Sequence, residues 1–327
     1  MARDHGFHPV RITRVVEETA DTHSFVLNVP FSYRAGQFLT FRLCGTLRSY
    51  SMSSSPDTDG SLMVTVKRVP GGLVSGWMHE HLGPGDVVEV TRPAGVFCLR
   101  DTAAPMVAFG AGSGITPILS LVKSALAVTA RRVRVLTANR DWGSVIFRDT
   151  LDELAGRYPG RLEVRYHLDE EHGFVTGDQV REFVGGDRDA DFYICGPAPF
   201  MELAERALVE GGADPGQIFI ERFETAVPGA PAGQEQEGTV CIVLSGKRHT
   251  VPQHAGESLL ESARRAGLSP PFSCEAGNCA TCIAQVTEGE AKMRANNALD
   301  DDEIADGWVL TCQGEPVTPH VTVVYED

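Results

Sequence analysis

Apolar and polar positions alternate in short segments over the first hundred residues. These segments are separated by turns rich in glycine and proline, and they cover residues 24–29, 38–43, 62–67 and 87–90. Strands that follow one another this closely are typical of antiparallel barrels. The pattern therefore predicts an antiparallel β-barrel domain over residues 1–102.

The pattern changes after Pro105, where mainly apolar strands alternate with longer helical stretches. The strands are predicted at 106–109, 133–136 and 192–194, and the helices at 118–128 and 200–210. Alternation of this kind predicts a parallel sheet covered by helices. We expect an α/β domain over residues 103–225.

A second change occurs at residues 226–238, which lack apolar periodicity and contain many turn-forming residues. This composition predicts a linker. Beyond it, apolar segments at 240–244 and 248–251 predict a hairpin around Ser245 to Lys247, and a helix is predicted at 258–266. Residues 239–327 therefore form a third, α+β domain in this interpretation, and the fold class is multidomain.

Composition agrees with this organisation, because 327 residues with 42% hydrophobic and 22% charged side chains are typical of a soluble protein of two or three domains. The first residues lack the apolar segment of a secretory signal, so we predict a cytoplasmic setting. Residues 106–122 carry no charge, but three glycines and Pro117 interrupt them, so no membrane span is predicted.

The net charge of −15 disfavours nucleic acid as a partner, because phosphates would be repelled. Residues 238–327 contain thirteen acidic against six basic residues. The acidic run 300–303 has two interpretations: a solvated helix start, where carboxylates are favourable, or a docking face for a basic redox partner.

The C-terminal region carries the strongest chemical signal. Its cysteines stand as Cys274-x4-Cys279-x2-Cys282, with Cys312 further along the chain. This is the plant-type ligand pattern of a [2Fe–2S] cluster, which carries single electrons. A zinc site is one alternative, although zinc usually takes two short ligand pairs. A disulfide framework is the other, although it suits shorter secreted chains.

The segment Arg48-Ser49-Tyr50-Ser51 combines groups that suit a nucleotide with an aromatic ring. Arg48 can bind a phosphate through two hydrogen bonds, Tyr50 offers a flat ring, and Ser51 can hydrogen-bond a ring nitrogen. Tyrosine and serine are also common in ordinary strands, so by itself this tetrapeptide carries little weight.

Two glycine-containing turns precede predicted helices. Gly72-Leu73-Val74-Ser75 opens the first helix and suits a pyrophosphate, unless Ser75 is only an N-cap. The second turn includes Gly112, Ser113, Gly114 and Thr116, with Ile115 where the third glycine of a G-x-G-x-x-G motif would fall. It predicts either a phosphate site or a structural glycine turn.

Cys195-Gly196-Pro197 follows a buried strand at the edge where open α/β sheets bind their ligands. The thiol either lies near a bound ring or only fills the core. No Ser/His/Asp order and no His-rich metal motif stands out, which disfavours hydrolytic chemistry.

These motifs, in this order, resemble the ferredoxin–NADP reductase family with a fused C-terminal ferredoxin. The resemblance covers essentially the whole chain and is particularly strong to reductase components of oxygenases, including those acting on 3-ketosteroids and phenylacetyl-CoA. It implies an FAD-binding barrel, an NAD-binding domain and a ferredoxin-like β-grasp domain. It also implies cofactor contacts at Arg48, Ser49, Tyr50, Ser51, Lys67, Gly72, Leu73, Val74, Ser75, Gly112, Ser113, Gly114, Thr116, Asn139, Arg140, Cys195, Gly196, Pro197 and Phe223.

By the same resemblance, electrons pass from NADH to FAD, then to the cluster held by Cys274, Cys279, Cys282 and Cys312, and finally to a terminal oxygenase. Tyr50, Ser51 and Cys195 position the reactants, and Phe223 shields the flavin. FAD is favoured over FMN. Arg140 could serve a 2′-phosphate, whereas Asp141 would repel it. The chain also lacks the Ser/Arg/Tyr set of NADP-specific relatives, so NADH is favoured over NADPH.

The terminal acceptor is open at this point. A Rieske steroid hydroxylase, a di-iron hydroxylase or desaturase, and a cytochrome P450 are all compatible with such a reductase. A redox-sensing iron–sulfur module without sustained turnover is an alternative of another class. A flavin reductase that releases reduced flavin is a third possibility.

Overall fold

The computed structural model describes residues 7–223, 235–268, 270–272, 275, 277 and 279–325. Three principal sheets follow one another along the chain, one for each predicted domain. The expected multidomain fold class, with a barrel, an α/β domain and a ferredoxin-like domain, is confirmed. Among the described residues, no helix has both the length and the apolar character needed to cross a membrane.

The first domain contains a sheet of six antiparallel strands and one helix. They are β1 His8–Thr19, β2 Thr22–Asn28, β3 Phe38–Leu43, β4 Thr46–Ser51, β5 Leu62–Lys67, α1 Leu73–His81 and β6 Val87–Val90. The strand order is β4-β3-β6-β1-β2-β5, and a bridge between Met52 and Val64 joins the two edges into a barrel. Ile12, Phe25 and Leu39 are among the apolar side chains that fill its interior.

The second sheet is wholly parallel and has the order β11-β10-β7-β8-β9. Its elements are β7 Met106–Ala111, α2 Ile115–Val128, β8 Val133–Asn139, α3 Arg148–Arg157, β9 Leu162–Leu168, α4 Asp169–His172, α5 Gly177–Val184, β10 Asp191–Cys195, α6 Ala198–Glu210 and β11 Ile218–Glu221. Apolar cores cover both faces. The strand order reverses next to β7, and open sheets bind ligands at the carboxyl ends of the strands there.

Helix α2 begins at Ile115, three residues before the predicted start at 118. Pro117 lies in its first turn, where a missing N–H costs nothing, so the helix can start before the proline. The helix also joins the first two domains by polar contacts. The hydroxyls of Ser124 and Ser55 lie 2.7 Å apart, and Lys123 Nζ lies 2.9 Å from Asp59 Oδ2.

The third domain is a mixed sheet packed on a short helix. Its elements are β12 Glu235–Leu244, β13 Lys247–His254, α7 Leu259–Arg265, β14 Ile283–Glu288, β15 Ala291–Met293, α8 Asp301–Ala305, β16 Trp308–Leu310, β17 Gly314–Pro316 and β18 His320–Val324. The order is β13-β12-β18-β14-β16, with β15 and β17 forming a separate hairpin. The predicted hairpin turn is present, with φ of 49° at Ser245 and 69° at Gly246.

The predicted linker at 226–238 is wrong at its C-terminal end. Residues 224–234 lie outside the described part of the chain, but β12 begins at Glu235, so residues 235–238 belong to a strand. Gln236 pairs with Gln253, and a bulge follows before Thr239. Gly238, with φ of 143°, accommodates this bulge. Cross-strand pairing therefore outweighs the turn-forming composition.

Candidate functional site

Strand β4 carries the predicted flavin segment. The Tyr50 ring packs edge-on against Phe41, with centroids 5.6 Å apart. Burial raises the pKa of the Tyr50 hydroxyl to about 12, so it stays protonated at neutral pH. The Arg48 guanidinium is held at the strand by hydrogen bonds to the Leu47 carbonyl at 2.7 Å and the Thr46 hydroxyl at 3.2 Å.

Ser51 ends this strand and is buried. Within the described residues its Oγ has no hydrogen-bond partner. A buried hydroxyl without a partner costs about 1–3 kcal/mol, so such groups generally await a ligand or a water molecule. This unsatisfied hydroxyl beside an aromatic ring fits the ring nitrogen of a flavin.

The turn before α1 has the geometry expected of a phosphate seat. Gly71 has φ of 71°, and α1 begins directly after Gly72, which is its N-cap. The alternative interpretation of Ser75 as the N-cap is therefore wrong. Ser75 Oγ instead accepts a hydrogen bond from the Val69 N–H at 3.1 Å, which fixes the preceding loop. The first N–H groups of a helix have no partner within the helix, so those of Leu73 and its neighbours suit an anion.

In the α/β domain, the glycine turn at 112–116 and the segment 195–197 pack against each other as one unit. A Cβ added at Gly114 would lie 2.1 Å from the Cys195 carbonyl oxygen, and one at Gly196 would lie 2.9 Å from the Ala111 Cβ. Gly112 has φ of 51°, in the left-handed region. The chain that follows β7 therefore packs directly against the backbone that follows β10, at the carboxyl ends of both strands.

Other members of these motifs are held in place by local contacts. Thr116 Oγ1 donates to the Ser113 carbonyl at 2.9 Å, so both stabilise the start of α2. Burial raises the pKa of the Cys195 thiol well above its usual range, and the nearby Glu221 charge adds to the shift. The thiol is therefore neutral, which suits a positioning group and not a nucleophile.

A cavity of about 530 Å³ lies at this edge of the parallel sheet. Five predicted cofactor residues line it: Lys67, Gly112, Asn139, Arg140 and Pro197. The buried Asn139 Oδ1 has no hydrogen-bond partner among the described residues, as expected of a group that awaits a polar ligand. The volume and the unsatisfied amide fit the sugar and phosphates of a dinucleotide.

Asp169 and Phe174 are among the lining residues of this cavity that were missed from the sequence. Asp169 follows β9, and burial raises the pKa of its carboxyl. Phe174 is 83% exposed although it lines the cavity. The available signal was an acidic residue at the carboxyl end of a parallel strand, the edge at which open α/β sheets bind their ligands.

Arg140 is already paired with its neighbour. Its Nε lies 2.7 Å from Asp141 Oδ2, while Asp141 Oδ1 accepts from the Ser144 N–H at 2.9 Å. The guanidinium is therefore partly neutralised before any nucleotide binds. Phe223 follows β11 and is 43% exposed, and its shielding role stays a prediction.

Three of the four predicted cluster ligands lie within the described residues, whereas Cys274 lies outside them. Cys279, Cys282 and Cys312 are all buried. Hydrogen bonding with the Cys312 thiol, together with burial, raises the pKa of Cys282 well above its usual range. Buried, closely spaced thiols fit a [2Fe–2S] cluster, whose positive iron ions would hold them as thiolates.

The loop around these cysteines is tightly wound. Glu275, Gly277 and Ala280 all have positive φ, between 52° and 76°. A Cβ at Gly277 would lie 2.7 Å from the Ala295 carbonyl, and Arg264 clamps Glu275 through two hydrogen bonds of 2.8 Å. No three ligand side chains in the described ranges converge on a single-ion site.

The cluster loop contacts the flavin barrel directly. Cys279 packs against Phe38 of β3, and its carbonyl accepts a hydrogen bond from Thr40 Oγ1 at 3.5 Å. Strand β3 pairs with β4 so that Thr40 faces Ser49. The predicted flavin strand and a predicted cluster ligand are therefore neighbours on either side of one strand.

Three family models match successive parts of the chain. They are an oxidoreductase FAD-binding domain at residues 9–98, an oxidoreductase NAD-binding domain at 106–206, and a 2Fe-2S iron-sulfur cluster binding domain at 242–317. The predicted cofactors FAD, NADH and a [2Fe–2S] cluster are confirmed at the level of these families.

Full-length relatives have the same arrangement. The chain is 37% identical to the ferredoxin reductase component of 3-ketosteroid-9-alpha-monooxygenase from Rhodococcus rhodochrous, over 98% of each chain. It is 31% identical to one of the subunits of 1,2-phenylacetyl-CoA epoxidase from Escherichia coli strain K12, again over 98% of each. The solved structure of phthalate dioxygenase reductase matches with a TM-score of 0.63 and 27% identity, covering 98% of both chains.

The fold and site thus define an electron-transferring oxidoreductase that uses a nicotinamide nucleotide, a flavin and an iron–sulfur cluster. The chain belongs to the ferredoxin–NADP reductase family with a fused C-terminal [2Fe–2S] ferredoxin domain, alongside the reductase components of oxygenases. The resemblance stated from the motifs is confirmed.

Proposed function

We propose that this chain takes a hydride from NADH and delivers its two electrons singly to a terminal oxygenase. The contact between Cys279 and the flavin barrel carries the proposal, because it brings the cluster loop to the strand next to β4. A flavin accepts two electrons together and releases them one at a time, whereas the cluster carries one.

In this proposal the chain's residues bind and orient, and none transfers a proton. Ser51 hydrogen-bonds the flavin ring, Tyr50 supports its face, and Gly72 to Ser75 hold the pyrophosphate. The packed unit of Gly112 to Thr116 and Cys195 to Pro197 receives the nicotinamide end of the nucleotide. Cys274, Cys279, Cys282 and Cys312 hold the cluster.

The cavity supports a preference for NADH over NADPH. Asp169 lies in its wall, and Arg140 is tied to Asp141. A 2′-phosphate would meet a carboxylate there and find the nearest guanidinium already paired, whereas a 2′-hydroxyl can donate to a carboxylate.

The proposed acceptor is a Rieske oxygenase that hydroxylates a steroid, on the strength of the 3-ketosteroid relative. A di-iron oxygenase, a desaturase or a P450 would need the same one-electron supply.

The acidic run at 300–303 begins α8 through a capping box between Asp300 and Glu303, which confirms a helix start. Its role as a docking face and the cytoplasmic setting are both proposals.

Anaerobic titration of the reconstituted protein with NADH and then NADPH tests the proposal. We expect bleaching of both flavin and cluster absorbance by NADH, and rapid turnover with ferricyanide or cytochrome c. Bleaching without turnover would favour the redox-sensing alternative. Loss of FAD on gel filtration would favour a flavin reductase, and no flavin reduction at all would overturn the proposal.

A further inference from the structure

The segment between β6 and β7 is fixed rigidly to strand β3. Phe38 and Ala94 exchange two backbone hydrogen bonds, at 2.9 Å and 3.0 Å. Gly95 lies on the Phe38 ring so closely that a Cβ there would be 2.8 Å from the ring carbon Cε1. These contacts hold residues 91–96 and β3 together as one unit.

This unit is where the ferredoxin domain meets the barrel. The Val96 N–H donates to the Asn297 carbonyl at 3.4 Å. A cavity of about 40 Å³ lies between the two domains, lined by Ala94 on one side and by Cys279, Ile283 and Leu299 on the other. A space of this size holds only a few water molecules, so the surfaces are closely apposed.

Thr40 lies at the centre of this contact and is 1% exposed. Its Oγ1 is 2.9 Å from Ser49 Oγ and donates to the Cys279 carbonyl at 3.5 Å. Its N–H donates to Thr91 Oγ1 at 3.1 Å. Because a hydroxyl has one proton, Thr40 accepts from Ser49 when it donates to Cys279.

We propose that Thr40 is a positioning residue for electron transfer from flavin to cluster, because it holds the cluster-bearing loop against the flavin strand. The inference rests on the proposed function. In each transfer the flavin is oxidised by one electron and the cluster is reduced by one, and neither a proton nor a covalent bond passes through Thr40. Its hydroxyl stabilises the arrangement in which the cluster-bearing loop contacts the barrel.

The test uses the reconstituted full-length protein and three variants. Thr40→Val removes the hydroxyl but keeps the shape, and Thr40→Ser keeps the hydroxyl. Thr13→Val is the matched control, because Thr13 Oγ1 also bonds a backbone carbonyl in the same barrel, that of Val26 at 3.2 Å. Anaerobic stopped flow follows flavin and cluster absorbance separately after mixing with NADH.

We expect flavin reduction to be unchanged in all three variants. Cluster reduction should slow in Thr40→Val only, by up to about fivefold, which is the upper limit for losing one neutral hydrogen bond from a docking equilibrium. Hydrogen exchange gives a readout independent of turnover: peptides covering residues 91–98 should exchange faster in Thr40→Val, because the Val96 bond to Asn297 opens more often.

Unchanged cluster reduction in Thr40→Val, or equal slowing in Thr13→Val, would overturn the inference. If Thr40→Val does not fold, Thr40→Ser decides instead, because slowed cluster reduction with the hydroxyl retained contradicts the proposed role. If NADH did not reduce the flavin of the wild-type protein, the proposed function would be refuted. This outcome is distinct from every result above.

Discussion

Gly114 lies directly against the backbone of Cys195, so that a Cβ on the glycine would stand 2.1 Å from the cysteine carbonyl oxygen. This contact joins the start of α2 to the end of β10. Because the opposing atom belongs to the backbone, no side-chain rotation relieves the clash. We expect Gly114→Ala to destabilise the protein by roughly 1–3 kcal/mol and to impair reduction by NADH.

Chemical denaturation measures the loss, and Gly156→Ala is its control. Gly156 lies inside α3, and a Cβ added there would have no neighbouring atom within 4 Å. Alanine is favoured over glycine in a helix, so this variant should gain up to about 1 kcal/mol. Equal effects of the two substitutions would contradict the close packing at Gly114.

Ser51→Ala is expected to separate binding from stability. Because Ser51 Oγ has no partner among the described residues, its removal should leave the flavin-free protein equally or slightly more stable. Flavin reduction by NADH should slow markedly, while cluster content stays the same. Thermal unfolding of the flavin-free form and stopped-flow reduction of the loaded form test the two halves of this prediction.

Ser53→Ala provides the comparison, because Ser53 Oγ lies 2.6 Å from Thr65 Oγ1 in the barrel interior. That variant should lose about 1 kcal/mol of stability and keep its flavin reduction rate. If Ser51→Ala destabilised the protein and left flavin reduction unchanged, the proposed role of Ser51 would fail.

Asp169→Asn should relax the preference for NADH. Removing the carboxylate charge from the cavity wall lowers the repulsion of a 2′-phosphate, and we expect the NADH-to-NADPH ratio of kcat/KM to fall roughly tenfold, about 1.4 kcal/mol. Steady-state kinetics with both nucleotides measure the ratio. Asp178→Asn on α5, whose carboxylate is highly exposed, should not change it.

The same preference should depend on pH. An ordinary aspartate has a pKa near 3.9. Burial raises the pKa of Asp169, so its carboxyl becomes protonated and neutral at a higher pH than that. Discrimination against NADPH should therefore weaken as the pH falls, beginning above that value. The Asp169→Asn variant should show no such weakening, and an identical pH profile in both proteins would exclude Asp169 as the cause.

Cys195 should resist alkylation in the folded protein, whereas the exposed Cys44 should react. Burial raises the folded-state pKa of Cys195 above its unfolded value of about 8.5. The stabilisation from the neutral thiol is complete below that pH and is lost as the pH rises above it. Denaturation from pH 7 to 10 should show a smaller alkaline loss in Cys195→Ala than in wild type, and mass spectrometry reports the alkylation.

The sheets were predictable because their signals are local. Mainly apolar segments such as 106–109 and 133–136, bounded by turn residues, indicate buried strands, and the cysteine spacing identified the cluster loop. Asp169 was missed because β9, with the sequence LEVRYHL, mixes charged and apolar residues and gives a weak strand pattern. The contact of Thr40 with Cys279 joins residues 239 positions apart and depends on domain docking, which no local pattern records.

Helix α2 meets the barrel through polar contacts that include a pair of hydroxyls and an ion pair. Hydrogen bonds are directional, so this seam requires particular side chains from both sides at once. Recombination between the first two domains would have to carry Ser55, Asp59, Lys123 and Ser124 together. A fusion that exchanges only the ferredoxin domain leaves all four in place, so we expect the first two domains to be exchanged together and the ferredoxin domain to be exchanged separately.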